Sequence, residues 1–334
     1  MKKTIHWLLK AFVAGCIALA LLCGFCFFWY NVPVHYDNPT GATEYFWEKN
    51  QFYSKATEGF AWGRTNNEGH NNLKDYHEGD NVDILLMGSS HMEGFNVAQD
   101  ENAAAVLNQL FDGEKYCYNI GTAGHTPLYC IKHLGDALDR YEPNDYVVIE
   151  SFNVDFDEKE LEAVAEGTLA HIPSHSGGII GLMQKLPYLR LFYTQHFKGG
   201  GQSFGSVESN DAQPELLDDN YSVQLERVLE IVASECREHN VTPIITHNTN
   251  LLIAEDGSCY TDDEPEKYEI FSRLCEEKGI VFIDAVDRFM AEYEESHRLP
   301  YGFSNTSPGA GHMNKLGHRL FAEEIYAAIQ KMEG

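Results

Sequence analysis

Apolar and polar positions divide the chain into three regimes. Residues 11–30 carry no charge and are rich in Leu, Ala, Phe and Cys. A helix of about 20 residues spans about 30 Å, the hydrocarbon thickness of a bilayer. Residues 31–81 are polar and aromatic, with many Asn and Gly. They predict an extended juxtamembrane stretch that wraps onto the following domain. From residue 82 to the C-terminus, short β runs alternate with longer helical ones, the signature of a parallel sheet with crossover helices.

The predicted strands are 82–87, 115–120, 146–150, 241–246 and 280–283; the first is interrupted only by Asp83 and bounded by Gly88. Helices are predicted over 98–110, 127–140, 216–238, 264–277 and 315–332, the last with Leu316, Leu320, Phe321, Ile325 and Ile329 on its apolar face. Five parallel strands with helices between them make a flavodoxin-like, three-layer α/β/α domain over 82–334, preceded by one transmembrane helix. Residues 166–214, with Gly177-Gly178, Gly199-Gly200-Gly201 and an apolar patch over 179–193, interrupt the alternation. They are read as an insertion, a cap over the site, with an amphipathic piece lying on a membrane as the lesser reading.

Charge refines this picture. Lys2, Lys3 and Lys10 precede the apolar run, and Asp37, Glu44 and Glu48 follow it. That asymmetry predicts a cytoplasmic N-terminus with everything after Tyr30 outside. Phe27-Phe28-Trp29-Tyr30 stands where a cleaved signal peptide needs small residues, so an uncleaved signal anchor is expected. Val13-Ala14-Gly15-Cys16 resembles a lipoprotein box, but the apolar run continues past it. The formal net charge of −27, from 51 acidic and 24 basic residues, argues against nucleic acid and anionic headgroups as partners. Of eight cysteines, three lie in the anchor and five beyond it, with no framework spacing and no zinc-type pair outside the anchor. At most a disulfide or two could form, and neither metal nor cofactor is implied.

Chemistry is expected at the carboxyl edge of the sheet, where ligands of open parallel sheets bind. The first loop reads Gly88-Ser89-Ser90-His91-Met92-Glu93-Gly94, a sharp turn with a serine at its tip. Alone, it reads first as a helix cap. Three further segments change the balance: Asn119-Ile120-Gly121-Thr122-Ala123-Gly124 after the second strand, Glu150-Ser151-Phe152-Asn153 after the third, and Gly311-His312-Met313-Asn314 before the last helix. A serine nucleophile needs a base for its proton, and an imidazole is the usual one.

In these blocks the chain resembles the SGNH hydrolases, also called GDSL esterases and lipases. Gly88, Ser90 and Gly94 match the first block, with Ser89 in place of its Asp. The resemblance implies Ser90 as nucleophile and His312 as base. It implies an oxyanion hole from Ser90, Gly124 (or Gly121) and Asn153, although Ser151 and Val154 depart from the third block. The family's aspartate three residues before the histidine is replaced by Gly309. The site then works as a Ser–His dyad, or a distant acid such as Asp155 or Asp284 substitutes, or activity is weak or lost. The Gly-Ser-Ser-His and His-Met-Asn variants resemble anchored bacterial proteins that attach or remove acyl groups on cell-surface polysaccharides. The expected function is therefore a serine esterase or O-acyltransferase acting on acyl, chiefly acetyl, esters of an extracytoplasmic glycan. A catalytically degenerate module that binds or assembles such a polysaccharide is the alternative. Nucleotide binding lacks the Gly-x-Gly-x-x-Gly spacing.

Other histidines are weighed individually. His91 and His247 are candidates for the substrate pocket, with capping or packing as the competing role of His91. His318 is expected as a solvated surface residue. Pro173 breaks the helix that would align His171 and His175 on a metal. The acidic run Asp262-Asp263-Glu264 reads as a helix start.

Overall fold

The computed structural model describes residues 2–172, 186–193, 219–261 and 263–334. Helix α1 (Lys2–Trp29) is followed by two small antiparallel ribbons, β1 (His35–Asp37) with β2 (Tyr45–Trp47), and β3 (Phe52–Lys55) with β4 (Ala61–Arg64). The central strands are β5 (Ile84–Met87), β6 (Cys117–Asn119), β7 (Tyr146–Phe152) and β8 (Thr242–Asn248). A short hairpin, β9 (Leu252–Ile253) with β10 (Cys259–Tyr260), precedes the last of them, β11 (Val281–Asp284). All five predicted strands are present and parallel, in the order β6-β5-β7-β8-β11. Counting only the central strands, this is the 2-1-3-4-5 winding of flavodoxin-like folds.

Alternation along β5 shows why the domain has three layers. Leu85 and Met87 face one core, while Ile84 and Leu86 face the other. The first core is covered by α4 (Pro127–Lys132), α5 (Leu134–Tyr141), α6 (Glu158–Ala165), α8 (Asp219–Glu238) and α9 (Pro265–Glu277). The second is covered by α3 (Ala103–Leu110), α10 (Val286–Ser296) and α11 (Lys315–Glu333). Of two further helices, α2 (Ser90–Glu93) opens the loop after β5 and α7 (Pro187–Tyr193) packs beside α1.

Some boundaries differ from expectation. The helix predicted over 127–140 is split at His133, whose φ of −101° and ψ of 9° end α4 and start α5. The helix predicted from 98 begins at Ala103, because the Asn102 side chain caps it through Ala105 N–H. Most of the insertion predicted at 166–214, including His175 and the glycine runs, lies outside the described residues, as do Leu216 and Asp262. All eight cysteines are free.

The stretch before Val82 is integral to the domain. Tyr45, Tyr53 and Tyr76 are buried. Its asparagines serve as backbone mimics. The Asn72 side chain donates to Asn119 C=O and accepts from Asn119 N–H, completing the edge of β6, and Asn71 donates to Glu93 C=O.

Helix α1 carries a 27-residue span, from Lys3 to Trp29, whose most apolar 18-residue window has a mean hydropathy of 2.5; it is long and apolar enough to cross a membrane. Little of it is covered by the rest of the protein, and Phe12, Leu21, Phe25 and Phe28 are exposed.

Candidate active site

Strand β5 ends at Met87, and the chain turns at Gly88, where an added Cβ would sit 2.7 Å from both Cβ and Oε2 of Glu150. Ser89 then caps a single helical turn, its Oγ accepting from His91 N–H, and Ser90 is the first residue of α2. Gly94 ends that turn in the left-handed region at φ 71°, with Asn102 Cβ too close for any side chain. The Gly88, Ser90 and Gly94 spacing is thus the recipe for a one-turn helix with Ser90 at its positive end. Ser89 N–H donates to the buried Glu150 carboxyl at 2.8 Å, which ties the loop to β7.

His312 approaches from the loop before α11. The Asn314 side chain caps that helix by accepting from Leu316 and Gly317 N–H, and it donates to Leu299 and Gly302 C=O. Gly302 N–H donates to His312 C=O at 3.0 Å. The imidazole Nε2 lies 2.9 Å from Ser90 Oγ. On its other side, Nδ1 lies 2.6 Å from Glu58 Oε2, and His312 N–H donates to Glu58 Oε1 at 2.8 Å.

Glu58 is the acid that the sequence reading lacked. The candidates Asp155 and Asp284 are both engaged elsewhere: Asp155 with Lys267, and Asp284 with His247, Tyr268 and Val286 N–H. Gly309, where an aspartate was expected, has φ +84°. Glu58 sits in the turn between β3 and β4, in the stretch before Val82. That turn is clamped from two sides. Asn305 donates to Ala56 and Gly59 C=O and accepts from Gly59 N–H, and Asn96 donates to Glu58 C=O. Gly311 leaves the carboxylate room, since a Cβ there would lie 2.4 Å from Glu58 Oε1.

Electrostatics follow from this geometry. Burial alone would raise the Glu58 pKa, but the His312 ring and N–H, together with the Lys55 charge, bring it down to about 2. A carboxylate accepts only, so Nδ1 carries the imidazole proton and Nε2 offers its lone pair to the Ser90 hydroxyl. Burial lowers the His312 pKa below the usual 6.5, outweighing Glu58, and Lys55 adds to the lowering. Lys55 itself donates to Asn96 Oδ1 at 2.8 Å.

Strand order places the loops after β6 and β7 on either side of the Ser90 loop, because β5 lies between those strands. In the first, Gly121 N–H is taken by Asn119 Oδ1, Thr122 N–H by Gly88 C=O and Ala123 N–H by Glu93 Oε1. Gly124 N–H, at φ +90°, has no partner among the described residues. Glu93 holds this loop to α2, also receiving the Trp47 indole N–H; burial pushes its pKa up to about 7 against these donors. In the second, Asn153 has φ +64°, its N–H donates to Asn248 C=O, and its C=O accepts from Ser151 Oγ. The half-buried Asn153 carboxamide has no partner among the described residues.

The other histidines singled out in the sequence are engaged within the fold as follows. His91 is 7% exposed, stacks on Phe152 with ring centroids 4.5 Å apart and accepts from Met313 N–H through Nδ1. It underlies the His312 loop rather than opening onto solvent. His247 is buried, with Nδ1 3.1 Å from Asp284 and Nε2 3.5 Å from Asp263. Burial disfavours its charge, but the two carboxylates prevail and push its pKa up to about 9. His318 is buried, contrary to the surface reading, and burial brings its pKa down to about 3. His171 pairs with Glu44 and lies 3.6 Å from Asp37. Among the described residues, no group of three or more His, Cys, Asp or Glu is arranged to hold a metal ion.

Solved structures with a similar chain path include an acetyl xylan esterase at 12% identity, covering 74% of this chain and 98% of that one, with a TM-score of 0.41. A psychrotrophic esterase from Pseudoalteromonas sp. aligns at 14% identity over 76% and 98% of the two chains, with a TM-score of 0.38. An alpha/beta hydrolase enzyme from the metagenome of Lake Arreo, Spain, aligns at 15% identity over 76% and 97%, with a TM-score of 0.40. No protein-family model matches the sequence, and no curated protein does either.

Proposed function

We propose that this chain is a membrane-anchored serine esterase or O-acyltransferase of the SGNH type, acting outside the cytoplasm on acyl esters of a glycan. The observation that carries the reading is the continuous hydrogen-bonded line from Glu58 through His312 to Ser90. Ser90 Oγ attacks the ester carbonyl carbon while Nε2 of His312 takes the hydroxyl proton. The Glu58 carboxylate holds the ring and stabilises the imidazolium. The N–H groups of Ser90 and Gly124 and the Asn153 amide receive the negative oxygen. As the tetrahedral intermediate collapses, the C–O bond to the sugar breaks and its oxygen takes the proton from Nε2. Water or a second sugar hydroxyl then attacks the acyl-enzyme, giving up its proton to His312, and Ser90 is released with that proton. The degenerate-module alternative rests on Gly309 and on the weakened third block at Ser151 and Val154; Glu58 beside His312 answers the first of these.

The test is covalent labelling of the full chain with a fluorophosphonate, with mass spectrometry to locate the adduct. An adduct on Ser90 that disappears in His312→Ala is expected. A folded protein that takes no label at Ser90 would sink the mechanism.

The pH dependence has a defined sign. The base must be neutral, and His312 titrates below 6.5. For an aryl acetate, kcat/KM is expected to be flat through pH 7–8 and to fall only as pH drops through the lowered His312 pKa. An acid limb centred above pH 7 would contradict the assignment of His312, with its lowered pKa, as the neutral base.

A further inference from the structure

The anchor does not end in a tether. Ala56 N–H donates to Trp29 C=O, Ser54 Oγ to Phe27 C=O, and the Asn31 and Ser54 backbones exchange N–H···O bonds. Tyr30 bridges Lys55, and Phe27 stacks on Phe52 at 5.1 Å. The strand that leads to the catalytic acid is therefore stitched to the last turn of α1. Glu58 is three residues beyond Lys55, so its Cα lies within about 16 Å of the Tyr30 Cα at full extension.

Cross-strand partners share a face of a ribbon. Phe52 pairs with Arg64 and Ser54 with Trp62, so Trp62 belongs to the ribbon face that packs on the anchor. Trp62 is nevertheless 58% exposed, in edge contact with Phe60, itself 62% exposed. The opposite face, through Tyr53, packs on Phe95 inside the domain. Helix α7 adds a second apolar element beside the anchor. Leu22 and Cys26 of α1 and Tyr188, Leu189, Leu191 and Phe192 of α7 line a groove of about 400 Å³. Those α1 positions lie about 6–12 Å below Tyr30 along the helix, the depth at which interfacial helices settle. Arg190, itself buried, donates to Asn31 Oδ1 at 2.9 Å and so ties α7 to the segment that follows α1.

We propose that the triad works against a bilayer: the Phe60–Trp62 face of the β3–β4 ribbon and helix α7 lie on the lipid surface that α1 enters. The esters taken by the site are those of acylated glycans carried on lipid at that surface. This rests on the serine-ester reading and on α1 being seated in the membrane. The excess of negative charge on the chain makes the contact apolar and aromatic rather than a salt-dependent attraction to anionic headgroups.

The full chain is reconstituted in phosphatidylcholine–phosphatidylethanolamine vesicles carrying a photoactivatable lipid. Acetate release is followed from octadecyl tetra-O-acetyl glucoside in the same vesicles and from methyl tetra-O-acetyl glucoside in solution. Adducts on Phe60, Trp62 and helix α7 are expected, with the anchored glucoside turned over about tenfold faster. The double variant Phe60→Ala, Trp62→Ala should lose the ribbon adducts and most of that preference, while keeping fluorophosphonate labelling and soluble aryl acetate turnover. Adducts confined to α1, or equal rates on the two glucosides, would overturn the proposal. Ribbon adducts without turnover of any ester would overturn the ester reading and the substrate assignment, and would support the docking surface alone.

Discussion

Ser90→Ala is expected to lower kcat/KM for an aryl acetate by about 10⁴–10⁶-fold with little change in thermal stability. The two halves of that expectation come from different parts of the structure. Ser90 is half-buried at the first position of a one-turn helix, and the partner of its Oγ is His312 Nε2. The helix is capped by Ser89 rather than by Ser90, and the loop is tied to Glu150 through Ser89 N–H. Alanine keeps the backbone N–H that the proposed mechanism assigns to the oxyanion, so under that proposal the residual rate measures what this N–H, Gly124 and Asn153 supply without a nucleophile. Melting curves that coincide with wild type, together with loss of turnover, would isolate the hydroxyl as the reacting group. Turnover within tenfold of wild type in a folded Ser90→Ala protein would mean that another group attacks.

The sheet and two members of this site were legible in the sequence for a common reason. Strands buried on both faces read as near-continuous apolar runs, and a loop at the carboxyl end of such a strand is a defined place to look. Gly88, Ser90 and Gly94 are local requirements of one turn and so appear at fixed spacing. Glu58 carries no such mark. It lies 254 positions from His312 and reaches it only because the ribbon folds back over the domain, clamped by Asn96 and Asn305. Asp155 and Asp284, the acids the sequence offered, follow the predicted strands 146–150 and 280–283, and nothing in the sequence selects between them or points to Glu58. His318 was readable and was missed: with Phe321, Ile325 and Ile329 it continues the apolar stripe of α11, at helical spacing. Helix α10 was likewise visible, with Val286, Phe289, Met290 and Tyr293 at three- and four-residue steps.

Glu58→Gln is expected to cost about 10³–10⁴-fold in kcat/KM, nearly as much as removing the side chain. Both oxygens of Glu58 accept, one from His312 N–H and the other from Nδ1–H. A glutamine has one acceptor and one donor end. With its oxygen on the backbone N–H, its NH₂ faces Nδ1 and drives the ring proton to Nε2, where it blocks acceptance from Ser90. With its oxygen on Nδ1, the NH₂ confronts His312 N–H, and the loop must move. Neither arrangement reproduces the wild-type tautomer in the wild-type position. The substitution also removes the carboxylate that raises the His312 pKa, so the acid limb of the residual activity should move to still lower pH. A merely structural Glu58 would give a loss of stability with an unshifted profile. Fluorophosphonate labelling of Ser90 at a near wild-type rate in Glu58→Gln would remove Glu58 from the catalytic line and return the site to a Ser90–His312 dyad.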